Sequence, residues 1–406
     1  MKNNPEIAIV GGGLVGLCAA LSLQHPDRQV LVIESSALAQ QKATGLNSRS
    51  IALSCSSVQI FRALGLWSKI RKQASPIRTI HISSQGRWGV ARLHAADYEL
   101  EALGYVIESS ILGSLLLDQV KHSKLITLDT EAEFENAEYG KTVKLDYRCR
   151  NKKKQISANL VLVADGASSK GRASLGIEHR ITDYGQSAVI TNVLVSKPVG
   201  GTAYERFTPE GPLAMLPLGR DRYACVWTHD PENTDHLMRL DDQQFAEALQ
   251  QGFGYRLGYI EQIGQRYSFP LHRTEALALA KYRCVLIGNA ANALHPVAGQ
   301  GFNLALRDVA SLCELFLNQS IRNLDEPSIA KALSQYEISR KAEQAKVVRL
   351  GDGLVSLFSN ELPLLGPIRA AALGLLDIVP ALKAEVALSG MGFSFGGNSM
   401  LRGQMP

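Results

Sequence analysis

The sequence predicts an α/β (α+β) fold, in which an antiparallel β-sheet is inserted into a strand–helix–strand domain and a helical region closes the chain. Three observations predict it. A Gly-rich turn, Gly11-Gly12-Gly13-Leu14-Val15-Gly16, joins an apolar run, Ile7 to Val10, to a helix-like stretch, Leu14 to Leu23. From Gln186 to Asp230 the apolar residues recur with period two, as half-buried strands require. Beyond residue 300 the spacing is helical, over Gly301 to Leu317 and Ser328 to Phe358.

The first of these carries chemistry. A second apolar run, Val30 to Ile33, follows the helix and ends in Glu34. Strand, Gly-rich turn, helix, strand and terminal acid form the dinucleotide-binding, Rossmann-like order. Gly11 allows a tight turn off the strand. Gly13 lets a pyrophosphate approach the backbone. Gly16 lets helix and strand pack closely. The helix N-terminus offers free N–H groups and a partial positive charge to phosphates. Glu34 can accept hydrogen bonds from ribose hydroxyls and would repel a 2′-phosphate, so the site suits FAD or NAD rather than NADP.

Composition narrows the rest. The 406 residues are 46% hydrophobic and 20% charged, enough for about two domains. A net charge of +5, from 43 basic and 38 acidic residues, is too mild to argue for nucleic acid. The dense basic run Arg148 to Lys154 reads as a solvated hairpin loop. Six cysteines without a CxxC pair read as small buried hydrophobes in a reducing compartment, and no metal site is expected. The first strand begins soon after Met1-Lys2, so no signal peptide is expected, and no run of ~18 uncharged apolar residues offers a membrane span.

In order, Ser54 to Leu64 reads as a helix ending at Gly65. Ile77 to Ser83 and Val90 to Leu93 read as strands around Gln85-Gly86-Arg87. Leu112 to Val120 has helical spacing. Leu125 to Thr130, Ala132 to Glu138 and Thr142 to Arg148 read as strands, and Leu160 to Val163 as a short buried one. The period-two region divides into Ala188 to Val195, Thr202 to Phe207, Leu213 to Pro217 and Tyr223 to His229. Asp241 to Gly252 returns to helix, and Arg283 to Ile287 is another buried strand.

Two further turns follow buried strands. Asp165-Gly166-Ala167-Ser168-Ser169 with Arg172 is a strand-to-helix turn that Ser168 could cap. Gly288-Asn289-Ala290-Ala291-Asn292 leads into Leu294-His295-Pro296-Val297-Ala298-Gly299-Gln300-Gly301-Phe302-Asn303. Its small residues let backbone lie against a flat ligand. Gly299, Gln300 and Gly301 open a helix whose N–H groups can stabilise negative charge.

Together the three turns resemble those of the class A flavoprotein monooxygenases, the aromatic-ring hydroxylases. Gly11 to Gly16 with Glu34 is similar to their adenosine and pyrophosphate motif, Asp165 to Arg172 to their DG motif, and Gly288-Asn289 to their GD motif. Asn47 to Leu53, Tyr204 to Thr208 with Gly211 to Leu218, His295 to Asn303 and Asp352 to Asn360 resemble the ubiquinone-biosynthesis hydroxylases. Many members carry Asp and His where this chain has Asn289 and Asn292. Asn289 is similar to the 2-polyprenyl-6-methoxyphenol hydroxylase branch.

The resemblance implies FAD, reduced by NAD(P)H. It implies O₂ adding to give a flavin C4a-hydroperoxide whose distal oxygen attacks an electron-rich, polyprenylated phenol. The FAD-binding domain would comprise residues 1–76, 104–182 and 270–345, the substrate sheet 77–103 and 183–269, and the helical region 346–406. Gly11, Gly13, Leu14, Val15, Gly16, Glu34 and Ser35 would hold the adenosine and pyrophosphate. Asp165 and Gly166 would lie near the pyrophosphate, and Gly288 and Asn289 at the ribitol. Arg49 would hold the flavin or its pyrophosphate. Pro296, Phe302 and Asn303 would also bind the cofactor, and the backbone around Gly299, Gln300 and Gly301 to Asn303 would stabilise negative charge near N1 and O2 of the ring. His295 reads either as a base or as a structural residue of its turn. Phe207, Met215 and Pro217 read either as pocket wall or as sheet core; Glu108 and Arg206 read either as polar residues of the site or as structural charges. The apolar tail Leu362 to Leu388 reads as a cover over the FAD domain or as a membrane or partner docking face. A cytoplasmic protein is expected, with peripheral contact at the inner membrane, other ubiquinone-biosynthesis proteins and a second copy of itself as candidate partners. Two alternatives stay open: an FAD-dependent reductase or oxidase of a prenyl lipid, and a non-catalytic flavin-binding subunit.

Overall fold

Short, continuous apolar runs form strands buried on both faces, and these build the central sheet. The computed structural model describes residues 5–37, 45–86, 89–293, 300–317, 321, 324–359, 380–392 and 398–406. Six strands run in the order Ala280–Lys281, Cys284–Leu286, Leu160–Val163, Ile7–Val10, Val30–Ile33, Ile126–Asp129. All pairs are parallel except the first. Every residue of Ile7–Val10, Val30–Ile33 and Leu160–Val163 is buried. Helices Leu14–Leu23, Ser109–His122 and Gln300–Phe316 complete the Rossmann-like layer.

The inserted sheet has nine strands among the described residues. They run Asn292–Ala293, Tyr267–Ala276, His179–Val195, Arg222–His229, Pro212–Pro217, Thr202–Phe207, Thr79–Ser84 and Val90–His94, with Ile260–Ile263 beside His179–Val195. One pair, Thr202–Phe207 with Thr79–Ser84, is parallel. One face of this sheet is covered by helix Asp242–Phe253, whose Phe245, Leu249 and Phe253 pack on Val189, Val193, Met215 and Trp227. Asp241 starts that helix with a capping box shared with Gln244. A smaller antiparallel sheet, Ser50–Ser54, Gly104–Glu108 and Ser75–Ile77, joins the two large ones.

Several expectations need correction. The basic run is not a loop: the turn is only Arg150-Asn151, both at positive φ (46° and 63°), and Lys152–Ala158 is a strand paired with Val143–Cys149. Its lysines mark a solvated sheet edge. The helix after the Asp165 turn is capped by Ser169, not Ser168; the Ser169 hydroxyl accepts the Arg172 N–H at 2.8 Å. Helix Pro231–Arg239 and strand Tyr267–Ala276 were not anticipated. All six cysteines are buried and free, as expected.

Helix Glu326–Ser359 packs on Gln300–Phe316. Their interface buries two arginines and two acids: Arg307 pairs with Glu343, and Arg340 pairs with Glu343 and, at 2.6 Å, with Asp308. Helix Pro380–Met391 belongs to the C-terminal region; most of the apolar tail before it lies outside the described residues. No helix among the described residues is long and apolar enough to cross a membrane.

Candidate functional site

Three turns leave neighbouring parallel strands at their C-terminal ends, where ligands of open α/β sheets bind. Gly11 has φ +104°, and a Cβ there would lie 2.4 Å from the Ala164 carbonyl oxygen, so the first turn meets the second at backbone distance. Gly288 has φ +61°, and a Cβ there would lie 3.3 Å from the Val15 side chain, which brings the third turn onto the first. Arg172 locks the second to the third. Its buried guanidinium donates to Ala290 O and to Ala167 O, each at 2.9 Å. The sequence flagged Arg172 only as part of a motif; the bridge depends on a carbonyl 118 residues away.

The first turn presents backbone N–H groups. A Cβ on Gly16 would lie 1.9 Å from Gly11 O, so only glycine lets helix Leu14–Leu23 sit this close to the turn. Gly13, by contrast, is exposed and has nothing within 4 Å of a Cβ position. It is the N-cap of Leu14–Leu23, has no side-chain cap, and no acid lies in the first helical turn. The N–H groups there, including those of Leu14 and Val15, therefore face an open space carrying positive helix-end charge. Glu34 is oriented by the same turn: its Oε2 accepts the Gly12 N–H at 2.6 Å, and its Oε1 accepts from Ser36 N (2.8 Å) and Oγ (2.6 Å). Ser35 is exposed beside it.

At the second turn, Asp165 Oδ2 accepts the Gly171 N–H at 2.9 Å, while its buried Oδ1 has no partner among the described residues. Asn292, buried behind the third turn, likewise leaves both side-chain atoms unpartnered there, whereas Asn289 is exposed. Unsatisfied buried polar atoms beside open N–H groups fit a polar cofactor such as a dinucleotide.

Helix Gln300–Phe316 packs against both Leu14–Leu23 and the Gly288 turn, so its N-terminus points into the same region. A Cβ on Gly301 would meet nothing within 4 Å. Phe302 is half-buried against the core. The Asn303 side chain is committed to the protein: Oδ1 accepts from Ser54 N (2.9 Å) and Ser57 Oγ (2.7 Å), and Nδ2 donates to Ala52 O (2.9 Å). What Asn303 leaves for a ligand is its backbone. His295, Pro296 and Gly299 lie outside the described residues.

Arg49 is exposed, its guanidinium 5.0 Å from the Tyr267 ring and 4.9 Å from that of Phe269. Asn192 Nδ2 donates to Ser48 O at 2.6 Å and to Leu46 O at 3.2 Å, tying the nine-stranded sheet to the segment before Arg49. Of the wall candidates, Met215 packs in the core under helix Asp242–Phe253, and Pro217, paired with buried Tyr223, shares that side. Phe207 is on the opposite face, because it lies three positions after Tyr204 and one after Arg206, both odd offsets. Glu108 pairs with Arg222 at 2.9 Å, and Arg206 donates to Gly252 O at 2.9 Å, so both are structural charges. Glu205, not singled out from the sequence, shares the Phe207 face. Burial raises its carboxyl from 4.5 to about 7.

Comparison with known proteins agrees with this geometry. A family model described as "FAD binding domain" matches residues 4–350. Ubiquinone hydroxylase UbiL of Rhodospirillum rubrum is 31% identical over 399 residues, covering 95% of this chain and 89% of that protein. The 3-demethoxyubiquinol 3-hydroxylase of Escherichia coli is 31% identical over 408 residues, covering 97% and 100%. The p-nitrophenol 4-monooxygenase PnpA of Pseudomonas putida shares the fold, with a TM-score of 0.81 at 17% identity, covering 98% of this chain and 100% of that one. The chain therefore belongs to the FAD binding domain family, among the class A flavoprotein monooxygenases, and is an FAD-dependent hydroxylase.

Proposed function

We propose that this protein hydroxylates the ring of a polyprenylated phenol, of the 2-polyprenyl-6-methoxyphenol type, in ubiquinone biosynthesis, with NAD(P)H as reductant and O₂ as oxygen source. One observation carries the reading: the convergence of the three turns and the N-terminus of Gln300–Phe316 on one region, tied to the inserted sheet through Asn192. The names of the UbiL and Escherichia coli relatives support the pathway and the kind of ring. Bound FAD supplies the redox chemistry, accepting a hydride and activating O₂.

The chain's own residues bind and orient. The N–H groups of Leu14 and Val15 would hold the pyrophosphate, and Glu34 would accept from the adenosine ribose. Arg172 holds the Asp165 and Gly288 turns at fixed spacing, so the ribitol chain meets a rigid cradle. The backbone from Gln300 to Asn303 would offer N–H groups to negative charge on the bound ring. The inserted sheet closes the ring off from water.

The test is direct. The purified yellow protein, given NAD(P)H, O₂ and 2-geranyl-6-methoxyphenol, should consume O₂ and yield a product heavier by one oxygen atom. A strain lacking the gene should accumulate the unhydroxylated phenol. NAD(P)H oxidation that never yields an oxygenated ring with any prenylated phenol refutes the proposal.

A further inference from the structure

Strand Thr202–Phe207 turns its two faces to different surroundings. Tyr204 packs edge-on against Phe253, and Arg206 reaches Gly252 O, so both look toward helix Asp242–Phe253. The alternation of a strand then sets Glu205 on the other face. Pairing places it between Ile82 and Ala214, and the next two strands bring Val226 and Ile190 into the same row. All five are half-buried, whereas their neighbours on the helix side, Val189, Tyr204, Met215 and Cys225, are buried. The same face is buried on either side of this row, at Ala188, Phe207 and Thr228 and at Ala203 and Ala224, so the half-buried row marks where the middle of the face borders open space.

That space has identifiable ends. Ile190 pairs with Tyr267, on whose ring Arg49 rests. Toward the other edge Ile80 packs against a cluster that includes Ala387 and Met391 of helix Pro380–Met391, and Gly390 O of that helix accepts from Gln300 Nε2 at 3.4 Å. The row of apolar side chains thus runs from Arg49 to a helix that touches the start of Gln300–Phe316. Glu205 is the one ionisable group among those five, and it has no hydrogen bond or ion pair among the described residues.

We propose that Glu205 is the substrate-recognition group and proton acceptor of this enzyme: its carboxylate accepts the hydrogen bond of a phenol O–H held against this apolar face, and takes that proton. The proposal rests on the reading of the chain as a phenol hydroxylase. The O–H bond of the phenol breaks, a Glu205 oxygen gains the proton, and the bonding pair stays on the phenolate oxygen. From there it enriches the ring carbons ortho and para to it. The step moves one proton and no electrons, so it needs no oxidant.

The surroundings suit the task. Burial alone raises the Glu205 carboxyl to about 7, near the working pH, where a general base is most effective. The charged groups on the elements around the face are placed elsewhere. Arg222 pairs with Glu108 at 2.9 Å, Lys383 with Asp97 at 3.6 Å, Arg49 stacks on its aromatic rings, and Glu385 is exposed.

The test uses the FAD-loaded enzyme, with 2-geranyl-6-methoxyphenol in detergent micelles as probe and its methyl ether as control. Binding is read from the flavin absorbance, and turnover from oxygenated product. The wild type should bind the phenol about tenfold more tightly than the ether. Glu205→Gln and Glu205→Ala should keep FAD and ether binding and lose that preference. Glu205→Gln should also lower turnover about 10²-fold and remove the limb near pH 7 from the rate profile. Glu205→Asp should recover part of both. Variants that keep the preference and the limb overturn the assignment while the phenol-hydroxylase reading stands. A wild type that binds neither probe and oxygenates no phenol removes both.

Discussion

Replacing Gly13 by alanine separates ligand binding from folding in a way the rest of the turn does not allow. Gly13 has φ −68° and ψ −176°, a conformation open to any residue, and an added Cβ meets nothing within 4 Å. The apo-protein should therefore be as stable as wild type, or more stable by up to about 1 kcal/mol, because alanine restricts the unfolded chain. The new methyl group stands where a pyrophosphate must approach the uncapped N–H groups of Leu14–Leu23. Each N–H bond to a charged oxygen is worth about 1.5–3 kcal/mol, so lengthening one of them weakens FAD binding by about 10- to 100-fold. The control is Gly16→Ala, whose Cβ would sit 1.9 Å from Gly11 O. That variant should fail to fold, three residues away from one that folds normally. The assay is quenching of FAD fluorescence on titration into apo-protein, alongside the thermal midpoint of the apo-protein. A Gly13→Ala protein that binds FAD with wild-type affinity refutes the placement of the pyrophosphate at this turn.

Three further outcomes follow from other parts of the site. Asn289→Asp restores a charged acceptor on the exposed Gly288–Ala290 turn and should tighten FAD retention about fivefold; equal or weaker retention in a dialysis assay contradicts a ribitol contact there. Arg172→Met removes the buried donors to Ala290 O and Ala167 O and should cost about 3 kcal/mol, seen as a lower thermal midpoint and loss of colour on purification; a midpoint equal to wild type would mean that the bridge does not hold the turns. His229 is buried beside Trp227, and burial lowers it from 6.5 to about 4, so its contribution is intact above pH 6.5 and lost as the pH falls toward 4. Between pH 7 and pH 5 wild type should lose about 2 kcal/mol through this group, and His229→Leu should show a flatter loss; parallel pH profiles for the two proteins would rule it out.

How much was legible in the sequence differs from element to element. The turn at Gly11 to Gly16 was legible because its demands are local: a backbone that must bend at Gly11 and pack a helix closely at Gly16 admits little but glycine at those two positions. Helix Asp242–Phe253 was legible for the same reason, since its capping box lies within the four residues from Asp241 to Gln244. Helix Pro231–Arg239 was missed because it has few apolar residues to set a period, although Asp230 as cap and Pro231 at the first position were available signals. Strand Tyr267–Ala276 was hidden by Pro270. The structure accommodates that proline opposite Ser187, where the register with His179–Val195 breaks.

By itself, the sequence determined the α/β class, the dinucleotide turn and the location of all three motifs, because each is specified by residues within a few positions of one another. Only the tertiary structure decided which side chains meet. Arg172 reaches a carbonyl far along the chain. Asn303 spends its amide on Ser54 and Ser57. Strand parity sends Met215 into the core and leaves Glu205 on the open face. The physical reason is that alternation along a strand gives two faces without naming them. Which one stays uncovered by a helix is settled by what the other face buries, here helix Asp242–Phe253, and that is a property of the whole packed molecule.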